Sequence, residues 1–222
     1  MAKNKLKRFA DLEEMQRVFQ PASAFADRDY PLKGKWGAEV FGNNNPIILE
    51  LGCGKGEYTV GLSRMFPNQN FIGIDRKGAR IWRGAKTVNE EQVMNAAFMR
   101  AQIQHLGSIF ESQEISSIWI TFPDPQPQKT REKSRMTAPR FLEMYRRLLV
   151  PGGRVQLKTD SFPLYEYSLQ CAKDSNAIIH VSTSDLYATL DTDEVLDIKT
   201  TYEKRFLAEG LKICYLSVSW PS

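Results

Sequence analysis

The chain has 222 residues and a mass of 25.4 kDa, which fits one large domain and leaves little room for a second. Its net charge of +4 permits a nucleic-acid partner. Three cysteines without metal-ligand spacing and two histidines argue against disulfides, a metal site and histidine-based catalysis. The basic start has no apolar segment and no apolar run could span a bilayer, so we expect a cytoplasmic protein without membrane association.

The first part of the chain is predicted to be an N-terminal extension, residues 1-45, to a domain that spans residues 46-222. Apolar residues recur at helical spacing from Phe9 to Phe19, which predicts a short amphipathic helix that ends at Pro21. Residues 27-45 contain glycine, proline and asparagine, and we expect them to form a strap that leads into the domain.

Strand and helix patterns then alternate along the chain, which implies βαβ units and a mostly parallel sheet. Predicted strands cover residues 47-51, 70-75, 96-100, 115-122, 154-159, 177-182 and 213-219. Predicted helices cover residues 57-66, 77-89, 102-111, 139-150 and 163-173, and Pro151-Gly152-Gly153 is the predicted stop of the fourth.

A glycine-rich loop, ELGCGKG, includes the end of the first strand and carries Gly52, Gly54 and Gly56. Such a loop lets a ligand approach the backbone closely, although a glycine triplet alone also fits a tight turn or a dinucleotide site. The spacing is GxGxG and not the GxGxxG that seats a pyrophosphate, and the carboxylate of Glu50 precedes it. A carboxylate suits a cationic sulfonium and repels a pyrophosphate, so the pattern favours S-adenosylmethionine over NAD.

Two polar residues follow the next two strands. Asp75 ends the second strand, where an acid can accept hydrogen bonds from both ribose hydroxyls of an adenosine; the alternative is an exposed acid at a strand end. Gln102 follows the third strand, and its amide can both donate to and accept from an adenine edge; the alternative is a polar helix cap. We expect both residues to belong to the cofactor site.

Three prolines stiffen the segment TFPDPQPQK after the fourth strand, where open α/β sheets bind their ligands. Its carboxylate, Asp124, is therefore held in place at the predicted site. A cationic stretch follows, which indicates contacts with phosphates; the alternative is a solvated charged loop. Its basic residues are Lys129, Arg131, Lys133 and Arg135.

The helix after Asp75 is also basic. Arg76, Arg80 and Arg83 share one of its faces, and no acid lies between them. This face is either a surface for an RNA backbone or a solvated helix face.

Taken together, these motifs resemble those of the bacterial tRNA (guanine-N7)-methyltransferases over roughly residues 46-219. The resemblance rests on ELGCGKG, FIGID, PGG and, more specifically, on the ordered set FPDP, KTD and TTYE, which end at Pro125, Asp160 and Glu203. It implies a Rossmann-like α/β fold that uses S-adenosylmethionine, with helices on both faces of the sheet and an antiparallel last strand. It implies methyl transfer to N7 of a guanine in the variable loop of tRNA.

The resemblance also implies roles for individual residues. The cofactor is expected to lie among Glu50, Asp75, Gln102 and Asp124, and the catalytic residues are expected to be Asp124 and Asp160. Residues expected to face the target guanine are Asp160, Thr200, Thr201, Tyr202 and Glu203. Residues expected to bind the rest of the tRNA are Gln128, Lys129, Arg131, Lys133 and Arg135. The chain departs from the family pattern at Gln126, where a tryptophan is usual, at Gln102, where an acid is usual, and at Gln128, Thr130 and Ser134, which thin the basic run.

The expected chemistry explains why acids dominate the site. Guanine N7 carries a lone pair and no proton at neutral pH, so methyl transfer needs orientation and charge stabilisation and no general base. The N1–H and exocyclic amine of guanine need acceptors, for which Asp160 and Glu203 are the natural residues.

Other functions stay open on the sequence. They are a methyltransferase for a small molecule or another RNA base, an RNA-binding protein with a decayed active site, and an NAD-dependent oxidoreductase. The FPDP loop differs from the polar-Pro-Pro-aromatic loop expected for amine methylation, the retained acids argue against decay, and the glycine spacing disfavours NAD. We expect a monomer or a homodimer.

Overall fold

The computed structural model describes residues 2–21, 28–191 and 195–221. Its helices are α1 (Ala2–Glu14), α2 (Glu57–Met65), α3 (Gly78–Glu90), α4 (Leu106–Ile109), α5 (Pro139–Leu148), α6 (Phe162–Asp174), α7 (Leu186–Thr189) and α8 (Thr201–Ala208). Its strands are β1 (Val18–Phe19), β2 (Ile47–Leu51), β3 (Asn70–Asp75), β4 (Ala96–Arg100), β5 (Ile115–Thr121), β6 (Leu149–Thr159), β7 (Ile178–Thr183) and β8 (Cys214–Ser219). A π-helical segment covers Trp36–Phe41, and 3₁₀ turns cover Ile103–His105 and Lys129–Ser134.

The eight strands form one sheet in the order β1-β4-β3-β2-β5-β6-β8-β7. Pairings among β1 to β6 are parallel, whereas β8 is antiparallel to both β6 and β7. The predicted fold class, a mostly parallel Rossmann-like sheet with an antiparallel last strand, is confirmed. The chain leaves β2 in one direction through β3 and β4 and returns to its other side at β5. This reversal creates a crevice at the carboxyl ends of the central strands, where sheets of this kind bind ligands.

Helices cover both faces of the sheet, as predicted. On β2, Leu49 and Leu51 pack into a core that includes residues of α4, α5 and α6. Ile48, directly before Leu49, points to the opposite face and packs against Tyr58 and Leu62 of α2. A third cluster joins α1 and α3 to β4 through Leu12, among others. All five residues of β2 are buried, so this strand is held from both sides and can position the loop that follows it.

The N-terminal helix ends earlier in the chain than predicted. Val18–Phe19, expected to continue it, forms strand β1 on the edge of the sheet, and α1 ends at Glu14 and not at Pro21. Arg17 has a φ of 58°, which turns the chain, and its carbonyl accepts the backbone N–H of Phe98 at 2.9 Å. The spacing of apolar residues at Val18–Phe19 is compatible with a helix or a strand. The strand forms because pairing with the open edge of β4 satisfies backbone groups that the end of a helix would leave to water.

Two other predicted boundaries were wrong. The helix predicted over residues 102-111 is a 3₁₀ turn followed by the short α4, and α5 ends at Leu148 instead of Val150. Strand β6 begins immediately at Leu149, so Pro151-Gly152-Gly153 lies within the strand and does not stop the helix. Leu149 pairs with Ile115 of β5, and a register irregularity follows, which accommodates these residues.

The N-terminal extension is packed into the domain. The first residue of the predicted strap, 27, lies outside the described residues, and the rest is anchored by Trp36, which is completely buried. The indole N–H of Trp36 donates to the carbonyl of Ile109 at 3.1 Å, and its ring contacts Phe110. Within the described ranges, no helix is both long and apolar enough to cross a membrane.

Candidate active site

The carboxyl ends of β2 to β6 open onto one cavity of about 630 Å³, at the crevice created by the chain reversal. Because the strands are parallel, the residues that follow them converge there although they are far apart in sequence. The structure brings together most of the predicted cofactor residues and part of the predicted substrate residues. Predicted residues in the cavity wall are Glu50, Gly52, Gly54, Asp75, Gln102, Asp124, Asp160, Thr200 and Tyr202.

The glycine-rich loop needs glycine at two positions for different reasons. Gly52 has a φ of 72°, and a Cβ there would lie 2.9 Å from the Cε of Met136, in the cavity wall. Gly56, which precedes α2, also has a φ of 72°, but a Cβ there would lie 2.4 Å from the ring of Phe98. Gly56 therefore serves packing beneath the loop and does not line the cavity.

Glu50 lies below the loop and is 3% exposed. Its Oε2 accepts the backbone N–H of Thr59 at 2.8 Å as well as the Thr59 hydroxyl, and its Oε1 accepts the Thr121 hydroxyl at 2.8 Å. Burial raises the pKa of Glu50 to about 7, although these hydrogen bonds oppose the shift. Glu50 thus joins β2 to α2 and β5, and its charge in the cavity wall is sensitive to pH near neutrality.

Asp75 holds the two backbone segments that border the cavity. Its Oδ2 accepts the N–H of Gly54 at 3.1 Å, and its Oδ1 accepts the N–H of Lys77 at 2.7 Å. Gln102 lies in the cavity wall at the N-terminus of the 3₁₀ turn, and its side chain does not cap that turn. A polar helix cap, the alternative reading of Gln102, is therefore not what the structure contains.

The two predicted catalytic acids follow neighbouring strands. Asp124 is exposed on the loop after β5, where its Oδ1 accepts the N–H of Gln126 at 3.1 Å. Phe122 and Gln126, on either side of it, have φ values of 48° and 45°, so the loop is held in a strained conformation. Asp160 follows β6 and is partly buried, and desolvation raises its pKa.

The basic loop, residues 129–135, contains three exposed cations and one arginine that holds a neighbouring loop. Lys129, Arg131 and Lys133 are exposed. Arg135 instead donates from Nε to the carbonyls of Pro125 and Gln126 at 3.2 and 3.3 Å. Its guanidinium also lies 4.3 Å from the centre of the Tyr167 ring and 3.7 Å from the Glu132 carboxylate. In this structure Arg135 therefore holds the Asp124 loop, and its contact with phosphate stays a prediction.

The TTYE segment starts α8, and its residues point in different directions. Thr200 caps the helix by accepting the N–H of Glu203 at 3.2 Å, and exposed Tyr202 lines the cavity. Thr201 binds Glu57 of α2 through its backbone N–H, at 2.8 Å, and its hydroxyl. Thr201 therefore links two helices and is not in the cavity wall.

Glu203 was expected to face the guanine, and the structure corrects this expectation. It is completely buried, forms an ion pair of 2.7 Å with Lys158, and accepts the Tyr187 hydroxyl at 2.6 Å. Three residues after the cap, a helical side chain points inward, where Lys158 needs a counter-charge. Glu203 is absent from the residues that line the cavity.

Several cavity residues were not assigned to the site from the sequence. Arg140 and Arg205 line the cavity and were unassigned. Arg80 of α3 and Arg76, which precedes that helix, also line it, and both belong to the basic group that was identified from the sequence. Gln128 lies outside the wall of this cavity. Among the described residues there is no cluster of three or more histidine, cysteine or acidic side chains that could hold a metal ion.

Comparisons with known proteins show the family to which the chain belongs. Residues 44–216 match the model of a family described as "Putative methyltransferase". The tRNA (guanine-N(7)-)-methyltransferase of Bacteroides fragilis (strain YCH46) is 45% identical over 222 residues, which cover 100% of this chain and 87% of that protein. The protein of the same name from Christiangramia forsetii is 46% identical over 217 residues, 97% of each chain. The solved structure of the 16S rRNA methyltransferase KamB has a TM-score of 0.66 at 14% identity, covers 93% of this chain and 100% of KamB, and shows the shared fold.

Proposed function

Since the chain belongs to the tRNA (guanine-N7)-methyltransferase family, we propose that it transfers a methyl group from S-adenosylmethionine to N7 of a guanine in tRNA. The family and the enzyme class predicted from the sequence are confirmed by these relatives. The family match begins at residue 44, which supports a division into an extension of residues 1-45 and a methyltransferase domain of residues 46-222.

The cavity fits the cofactor. Its volume of about 630 Å³ lies within the range of small-molecule sites. Gly52 keeps side-chain atoms out of the space beside Met136, Asp75 is placed to accept ribose hydroxyls, and Gln102 presents an amide for adenine. When bound, S-adenosylmethionine supplies a methyl group on a positively charged sulfur. The buried carboxylate of Glu50 favours a cation at this place once it is ionised.

The remaining cavity residues suit a guanine base. Asp160 accepts the N1–H and amine hydrogens of guanine, Thr200 lies in the wall beside it, and Tyr202 offers an aromatic face for stacking. Because N7 carries no proton, the chain supplies orientation and no general base. Methylation makes the guanine cationic, and Asp124 and Asp160 stabilise that charge.

The observation that carries the proposal is the convergence of Asp75, Asp124 and Asp160 in one cavity bordered by cations. The cations in the wall are Lys55, Arg76, Lys77, Arg80, Arg140 and Arg205. Acids within suit a cationic product and the donors of guanine, while cations around them suit RNA phosphates. We also propose that the protein acts in the cytoplasm as a monomer or a homodimer.

The test is to incubate the protein with unmodified tRNA and S-adenosylmethionine and to analyse the nucleosides by mass spectrometry. We expect 7-methylguanosine, and a single guanine-to-adenine substitution at the modified position should abolish it. Asp160→Asn should form much less of this product, and S-adenosylhomocysteine should inhibit its formation. Methylation of another base would replace the proposed substrate atom, and binding of tRNA without any methylation would favour an RNA-binding protein with a decayed site.

A further inference from the structure

A second concave surface lies next to the active-site cavity, and we call it the α5 groove. It encloses about 470 Å³ and is bordered by Lys129, Lys133, Arg140 and Tyr167, with Glu132 as its one acid. Arg140, at the start of α5, lines both the α5 groove and the active-site cavity. A molecule that passes from one space into the other therefore passes Arg140.

The α5 groove carries positive charge that the protein itself does not neutralise. Within the described ranges, Lys129, Lys133 and Arg140 have no carboxylate within 4 Å of their cationic nitrogens. Glu132 is paired with Arg135, at 3.7 Å. Arg147, on the same helix, does have such a partner, Glu143, at 3.0 Å. The charges of the α5 groove are thus available to an anion from outside the chain.

Several contacts hold the wall of the α5 groove in a defined position relative to the loop that carries Asp124. Arg135 stacks on Tyr167 from α6 and binds the carbonyls that follow Asp124. The hydroxyl of Tyr145, from α5, donates to the carbonyl of Met136 at 3.0 Å. These contacts connect the basic loop, α5 and α6 to the loop that carries Asp124, so the groove and the cavity share one set of supporting contacts.

We propose that the α5 groove is a second nucleotide subsite, which holds the sugar and phosphate of the residue next to the methylated guanine, and that Arg140 binds the phosphate that joins the two. A planar guanidinium can donate two parallel hydrogen bonds to one phosphate group, which a lysine ammonium cannot. The volume of the groove is in the range of a small-ligand site. The inference rests on the proposed function, because it requires an RNA strand whose target base occupies the cavity.

The first test compares Arg140→Ala with Arg146→Ala. Arg146 lies on the same helix, is exposed, and borders neither space. We expect Arg140→Ala to weaken tRNA binding roughly tenfold and to reduce the slope of log affinity against log salt by about 0.7–0.9, the effect of one phosphate contact. Arg146→Ala should bind tRNA as the wild type does, and neither substitution should change the affinity for S-adenosylmethionine. Equal effects of the two alanine variants on tRNA binding would overturn the proposal.

The second test locates the phosphate. Two tRNAs each carry one neutral methylphosphonate, either 5′ or 3′ of the target guanine. If Arg140 binds one of these phosphates, the tRNA with the methylphosphonate at that position should lose affinity for the wild type but not for Arg140→Ala. The tRNA with the other methylphosphonate should lose the same affinity for both proteins. Additive losses at both positions would refute the assignment. Failure of the wild type to methylate unmodified tRNA would instead refute the proposed function, so the two failures are distinguishable.

Discussion

The ammonium of Lys158 lies 2.7 Å from the carboxylate of Glu203, and both side chains are completely buried. Lys158 precedes Asp160 on β6, and its Nζ also donates to the carbonyl of Leu196 at 2.9 Å. Burial lowers the pKa of Lys158, and the charge of Glu203 opposes this shift. The pair joins the strand that presents Asp160 to the helix that Thr200 caps, so it positions the two parts of the proposed guanine site.

Removing one member of this pair should leave an uncompensated buried charge. We expect Glu203→Ala or Lys158→Ala to lower the free energy of unfolding by about 3–5 kcal/mol, measured by urea denaturation. The double replacement of Lys158 by Met and Glu203 by Leu should recover most of that loss, because it removes both charges. If the single variants unfold within about 1 kcal/mol of the wild type, the pair does not hold α8 to β6.

Cofactor affinity should depend on pH through Glu50. Its pKa is raised to about 7, so the carboxyl is mostly neutral at lower pH and becomes an anion as the pH rises through 7. The ionised form attracts the sulfonium, and we expect affinity for S-adenosylmethionine to increase about tenfold between about pH 6 and about pH 8, by calorimetry. Glu50→Gln should remove this dependence. S-adenosylhomocysteine, which lacks the charged sulfur, provides the control, and an equally steep profile for both ligands would contradict the mechanism.

Asp160 and Asp124 should affect different steps. Asp160→Asn replaces an acceptor by a donor that faces guanine donors, and we expect turnover on tRNA to fall about 100-fold with cofactor affinity nearly intact. Asp124→Asn should also reduce turnover, with a larger loss of cofactor affinity. Asp174→Asn, at the exposed end of α6, is the matched control. Loss of S-adenosylmethionine binding in Asp160→Asn would place that residue with the cofactor.

The basic loop should separate into RNA-binding and bracing residues. Replacing Lys129, Arg131 and Lys133 by alanine should lower the salt slope of tRNA binding by about 2–2.7, at about 0.7–0.9 per phosphate, with turnover on bound tRNA unchanged. Arg135→Ala should instead reduce turnover on bound tRNA, because it releases the carbonyls that follow Asp124. The bracing role is wrong if Arg135→Ala changes only the salt dependence of binding.

The sequence by itself determined the positions of Gly52, Asp75, Asp124 and Asp160 in the site. Each lies at the carboxyl end of a strand that the sequence predicted, and parallel strands place their carboxyl ends along one edge whatever the details of packing. Local signals and one general rule of sheet architecture were therefore enough to bring these four residues to one cavity.

Only the tertiary structure decided the roles of Glu203, Arg135 and the segment Val18–Phe19. Each has a partner distant in sequence: a buried lysine on β6 for Glu203, the ring of Tyr167 on α6 for Arg135, and the open edge of β4 for Val18–Phe19. Periodicity shows which face of an element is apolar but not which element will lie against it. Lys158 is buried and needs a counter-charge, and the backbone of β4 needs hydrogen-bond partners at its open edge. These needs select Glu203 and Val18–Phe19, because leaving either need unmet would cost more free energy than the local preference of Glu203 for solvent or of Val18–Phe19 for a helix.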